Sequence, residues 1–117
     1  MVMKPEGLRI SLPETDQELL RRLADDSIDA EALVALYEIH AKQIKESAIR
    51  WFGRDPEVRK KAINSILVSI GRQAGTYDPQ SMDATEWIRR VADAEARRLR
   101  EALDTAVSKS LRARRAM

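Results

Sequence analysis

The chain has 117 residues, enough for one domain around a single core and too few for two. Hydrophobic residues make up 44% and charged residues 34%, which excludes a disordered polar chain and fits a soluble helical one. There is no cysteine, so disulfides, thiolate zinc sites and thiol catalysis are excluded together, and a cytoplasmic setting is expected.

The opening MVMKPEGLRISLPE has no apolar run of signal-peptide length and reads as an N-terminal arm over residues 1–14. Thr15–Glu18 spells T-D-Q-E, a capping box that starts a short helix reaching about Ala24, with Leu19, Leu20 and Leu23 on its apolar side. Asp25, Asp26 and Ser27 interrupt it. A second helix is expected from near Asp29. Its stripe is Leu33, Leu36, Tyr37, Ile44, Ala48 and Phe52, and Gly53 ends it. Asp55 and Pro56 then cap and begin a third helix, whose inward side is Val58, Ala62, Ile63, Ile66, Leu67 and Ile70. Ile66–Ile70, interrupted by Ser69, is the longest apolar stretch and far too short for a bilayer span, so no membrane association is expected.

Gly75–Met82 contains Gly75, Asp78-Pro79 and Ser81, the residues of a turn. Asp83, with Glu86 three residues on, signals the start of a fourth helix running from about Ala84 past Leu103. Trp87, Ile88, Val91, Ala92, Leu99 and Leu103 are expected to face inward. No segment alternates with a period of two. The fold class is therefore all-α: a small bundle of three long helices plus a short N-terminal helix, over residues 15–107. Residues 108–117 read as a basic C-terminal tail carrying Lys109, Arg112, Arg114 and Arg115 and no acid.

The chemistry of a catalyst is missing from this pattern. Nucleophilic catalysis needs a nucleophile beside a base, yet the single histidine, His40, lies in mid-helix and no serine sits in an elbow motif. His40 reads as a partly buried residue hydrogen-bonded to a neighbour. Asp25 and Asp26 have nothing near them to complete a metal sphere, and the glycines form no phosphate loop. A non-enzyme with no cofactor and no metal is expected.

The fourth helix carries Arg89, Arg90, Arg97, Arg98 and Arg100 among Asp93, Glu95 and Glu101. Asp93–Arg97 at i,i+4 and Glu95–Arg98 at i,i+3 would each add about 0.2–0.5 kcal/mol to the helix. Two readings stay open: a solvated face laced with ion pairs, or phosphate binding by the arginines left over, strengthened by the basic tail. Trp87 is expected in the core, with base stacking as the alternative, and Trp51 at the edge of the second helix's stripe.

Four stretches in order then suggest a family. TDQELLRRLADDSIDAEALVALYEIHA, with Leu36-Tyr37-Glu38-Ile39-His40, resembles the opening of region two in extracytoplasmic-function sigma factors of the sigma-70 family. TYDP resembles that family's F-D-P turn, and WIRRVA (Trp87–Ala92) its W-L-x-x-I-A helix. The likeness covers roughly Thr15 to Arg100. It implies a helical domain that binds the clamp helices of RNA polymerase and recognises the minus-ten promoter element, holding a flipped base in the loop before the last helix. Tyr77–Met82 and Asp83–Glu86 would be that loop, with Arg89, Arg90 and Arg97 as strand contacts.

The candidate DNA-binding residues are thus Tyr77, Gln80, Ser81, Trp87, Arg89, Arg90, Arg97 and Arg98. Where the family has an acidic run and a Gln-Glu pair for the polymerase clamp, this chain has Lys60, Lys61, Asn64 and Ser65, the candidate polymerase- or partner-binding residues. Ala94 replaces the family's usual asparagine, and Asp93 puts an acid near the expected DNA path. No second helix-turn-helix is present to read the minus-thirty-five element, which predicts a stand-alone or divergent regulator. The expected partners are RNA polymerase, promoter DNA or both. The alternatives are a helical module for capture of a protein regulator or self-association without DNA, or a plain structural bundle.

Overall fold

Each helix begins where a side chain can take up backbone N–H groups that the first turn leaves unpaired. The computed structural model describes residues 15–116, so the expected arm over residues 1–14 lies outside the described residues. Helix α1 spans Asp16–Asp25, and its capping box is complete: Thr15 Oγ1 accepts from the Glu18 N–H at 3.2 Å, and Glu18 accepts from the Thr15 N–H at 2.8 Å. Helix α2 spans Ala30–Phe52 under an Asp29 cap that accepts from the Ala32 N–H. It stops at Gly53, whose φ of 79° is one that L side chains rarely adopt. Helix α3 spans Pro56–Gln73 with Asp55 as its cap, and a 3-10 turn, Ala74–Thr76, closes it. Helix α4 spans Ala84–Ala116, and the Asp83 carboxylate accepts from the Glu86 N–H at 2.8 Å at its start.

Among the described residues all regular structure is helical, so the protein is a small all-α bundle. Helices α2, α3 and α4 pack on one another, and α1 lies against the 3-10 turn, α2 and α3. Leu19, Leu20, Leu23, Leu36, Ile44, Ile66, Ile70 and Ile88 are fully buried where these elements meet. Each such side chain contributes roughly 1.5–3 kcal/mol by leaving water. Trp87, Val91 and Ala92 join them, and Leu33, Tyr37, Phe52, Ile63 and Leu67 pack partly buried against the core. None of the described helices is long and apolar enough to cross a membrane.

Gly71 lies inside α3 and is buried. A Cβ there would collide with the Ser27 carbonyl oxygen of the α1–α2 turn, so the backbone approach itself requires glycine. Two expected core positions are not core. Val58 is 37% exposed in the first turn of α3, and Leu103 is 47% exposed. Leu103 keeps its place in the apolar period of α4, but the helices that would cover it have ended. Residues 101–115 are all exposed, and the segment expected as a tail from residue 108 continues the helix to Ala116.

His40 is buried at a break in α2, where its φ of −112° and ψ of 19° depart from helical values. Its Nδ1 lies 3.2 Å from Gln43 Oε1, the neighbour contact expected of it. Its Nε2 lies 3.2 Å from Asp16 Oδ2 without the alignment of a hydrogen bond, which brings the first residue of α1 against α2.

Candidate functional site

The loop between the 3-10 turn and α4 is organised by one carboxylate. Asp78 Oδ1 accepts from the Gln80 N–H at 2.9 Å, Oδ2 accepts from the Ser81 hydroxyl at 3.0 Å, and the Asp78 carbonyl accepts from the Ser81 N–H at 3.0 Å. This is the local side-chain bonding that makes Asp-Pro a turn starter. Gln80 and Ser81 are exposed, and the Ser81 hydroxyl is already engaged.

Tyr77 is half-buried against Trp87, their ring centroids 5.5 Å apart and tilted by 58°. Burial pushes the Tyr77 hydroxyl above its ordinary pKa, and the Asp83 carboxylate adds to the shift. The hydroxyl is buried without a well-aligned hydrogen bond; the nearby Gln17 side chain favours its charged form through a loose contact and so works against that shift. Tyr77 borders an open recess of about 200 Å³ lined also by Gln17, Leu20, Arg21, Ala74 and Pro79. Arg21 is exposed and makes no ion pair among the described residues. Trp87 is only 8% exposed, so its ring chiefly supports Tyr77 and the core.

The candidate arginines of α4 are mostly occupied. Arg89 and Arg90 both donate to Glu86, at 2.6 Å and 2.9 Å, and together they hold its carboxyl at a pKa of about 2. Arg98 binds Glu95 through two bonds of 3.0 and 2.7 Å, which lowers the Glu95 pKa. Arg97 does not pair with Asp93, as spacing alone suggested, but reaches Glu101 at 3.4 Å. Asp93 turns instead to α2, accepting from the Arg50 guanidinium and, at 3.2 Å, from the Trp51 indole N–H. The acid expected to oppose DNA is therefore neutralised by another helix. Arg90, Arg97 and Arg98 remain 62–65% exposed, and exposed pairs hold together by only about 0–1 kcal/mol, so a phosphate could replace the carboxylate at small cost.

The α3 residues divide. Ser65 is half-buried and donates to Glu95 Oε2 at 2.7 Å, so it joins α3 to α4 and is not offered to a partner. Lys60, Lys61 and Asn64 are exposed. Lys60 and Asn64 line an open groove of about 450 Å³ between α2 and α3, with Tyr37, Ile63 and Leu67 supplying apolar surface and Lys45 and Arg59 adding charge. Lys45, Arg59 and Lys60 make no ion pair among the described residues.

Sequence reasoning missed Gln17, Arg21, Lys45 and Arg59, because each joins its cluster only through packing between helices. Lys45 gives a weak signal, lying two turns beyond Tyr37 on the same face of α2. No cluster of three or more His, Cys, Asp or Glu residues able to hold a metal occurs among the described residues. Compared with protein-family models, with curated proteins and with solved structures, the chain gives no match.

Proposed function

We propose that this chain is a sigma region-two-like, transcription-related binding protein without an enzymatic reaction of its own, which contacts opened promoter DNA through the loop before α4. The observation that carries the proposal is the recess beside Tyr77. It has room for a planar base, the Tyr77 ring at its border and, at its edge, the Arg21 guanidinium, which makes no ion pair among the described residues. A base needs a stacking or flat apolar surface, a hydrogen-bonding edge and a nearby cation for its phosphate. Tyr77, Pro79, Gln17 and Arg21 offer these together, and Arg89, Arg90, Arg97 and Arg98 extend the positive edge along α4. The test is fluorescence anisotropy with single-stranded and bubble DNA over a salt series. Log affinity is expected to fall linearly with log salt, and Tyr77→Ala with Arg21→Ala to weaken binding. Absence of binding at low salt defeats the proposal.

The groove between α2 and α3 favours a second reading, contact with RNA polymerase or another protein. Cations with no ion pair among the described residues, set around an apolar floor, suit an acidic, partly apolar segment better than a bare phosphate chain. Co-purification of RNA polymerase subunits from native lysate, lost on reversing Lys60 and Lys61 to Glu, is the outcome this reading expects. Retention after the reversal removes the groove from it.

A further inference from the structure

The distal half of α4 carries an apolar face that no other described residue covers. Within the bundle the face of α4 that contains Ala92 and Ala96 is buried and Leu99 is half-buried. The same face continues outward with Leu103, Val107 and Leu111, which are 47%, 58% and 49% exposed. At four-residue spacing these three stay within one third of the helix circumference. Sixteen residues from Glu101 to Ala116 extend it by about 24 Å.

The charge along this segment is polarised. Glu101 and Asp104 lie near the bundle and are 66% and 64% exposed, and their same-helix arginines, Arg97 and Arg100, approach only to 3.4 Å. Beyond Asp104 there is no acid, while Lys109, Arg112, Arg114 and Arg115 follow with no ion pair among the described residues. We infer that the exposed half of α4 pairs antiparallel with the same segment of a second copy of this chain. The inference does not depend on the promoter-binding proposal. A parallel pair would set the four bases of one chain against the same four of the other. An antiparallel pair sets Val107 opposite Leu111 of the second copy, and in that register Asp104 falls opposite Arg114. Both contacts are then made twice by symmetry. A lipid surface fits less well, since the segment keeps two carboxylates and has no aromatic residue to anchor it.

Sedimentation equilibrium of the full chain, from micromolar to millimolar, is the first test. A monomer–dimer equilibrium is expected, and Val107→Glu with Leu111→Glu should weaken association by about tenfold or more while far-UV circular dichroism keeps the helical signal. These side chains lie outside the bundle core, so the fold does not depend on them. The cysteine-free chain also permits a clean orientation test by oxidative cross-linking. Ser110→Cys should cross-link to itself. Arg100→Cys should not, because antiparallel partners hold the two copies of that position about 27 Å apart along the axis. A monomer at millimolar concentration overturns the inference. So does a dimer indifferent to the two glutamates, or one in which Arg100→Cys cross-links as readily as Ser110→Cys. Preferential binding of the segment to anionic phosphatidylserine vesicles, with no self-association, overturns it as well.

Discussion

The cations of α3 and those of the first half of α4 keep different company. On α4, Arg89 and Arg90 share Glu86, and Arg98 is chelated by Glu95. On α3, Arg59 and Lys60 face a groove whose other walls supply Lys45 and apolar carbon and no carboxylate. The first half of α4, which looks more basic in sequence, thus has less positive charge to spare. What a partner meets is the charge left after neighbours on the same and adjacent helices have taken their share, so the first half of α4 suits a ligand that can exchange for a carboxylate and α3 one that arrives acidic.

The harshest way to break this comparison is to remove the frame that holds both faces. Ile66→Ala empties a fully buried position of α3 and should cost about 2–5 kcal/mol in urea unfolding, with the proposed DNA and protein binding lost together. Loss of only one activity would mean that the faces do not share a core. A gentler change sharpens the contrast. Asp93→Ala frees Arg50 and the Trp51 N–H, and should cost about 0.2–1 kcal/mol while strengthening single-stranded DNA binding and steepening its salt dependence by about one unit. Unchanged DNA affinity would show that Asp93 lies off the DNA path.

The smallest effect is a titration. Glu86 is held by Arg89 and Arg90 well below its ordinary 4.5, at about 2. Its ion pairs therefore support the folded state fully above about pH 4.5, and that support is lost as pH falls from there through about 2. Carboxyl carbon shifts in NMR should place the Glu86 midpoint near 2, and Arg89→Ala with Arg90→Ala should return it towards 4.5. A wild-type midpoint at 4.5 would mean that both arginines are free for phosphate after all.

Much of the fold was legible because its signals are local. Thr15 with Glu18, Asp29, Asp55-Pro56 and Asp83 each act within one turn of themselves, and Gly53 needs only its own φ. Periodicity located the buried faces but could not say where the covering helices end, which is why Val58 and Leu103 read as core and are exposed. The loop residues Tyr77, Gln80 and Ser81 were found through turn chemistry and family likeness. Gln17 and Arg21 were not, because they come from α1, packed beside the loop. Pairing across helices was equally out of reach: Asp93 has a well-spaced arginine on its own helix and bonds to one 43 residues away. Spacing ranks neighbours on one helix and says nothing of a competitor brought by packing.

The notch at Gly71 acts as a registration mark for the bundle. The Ser27 carbonyl rests where α3 has no side chain. If α3 slid by one helical turn so that Leu67 came under that carbonyl, a branched side chain would occupy the space that a single Cβ already overfills. A helix hairpin with uniform apolar stripes can otherwise slip by a turn and still bury similar surface. Here a single absent methyl group fixes the axial position of α3, and with it the distance between the cations of its groove and the loop that precedes α4.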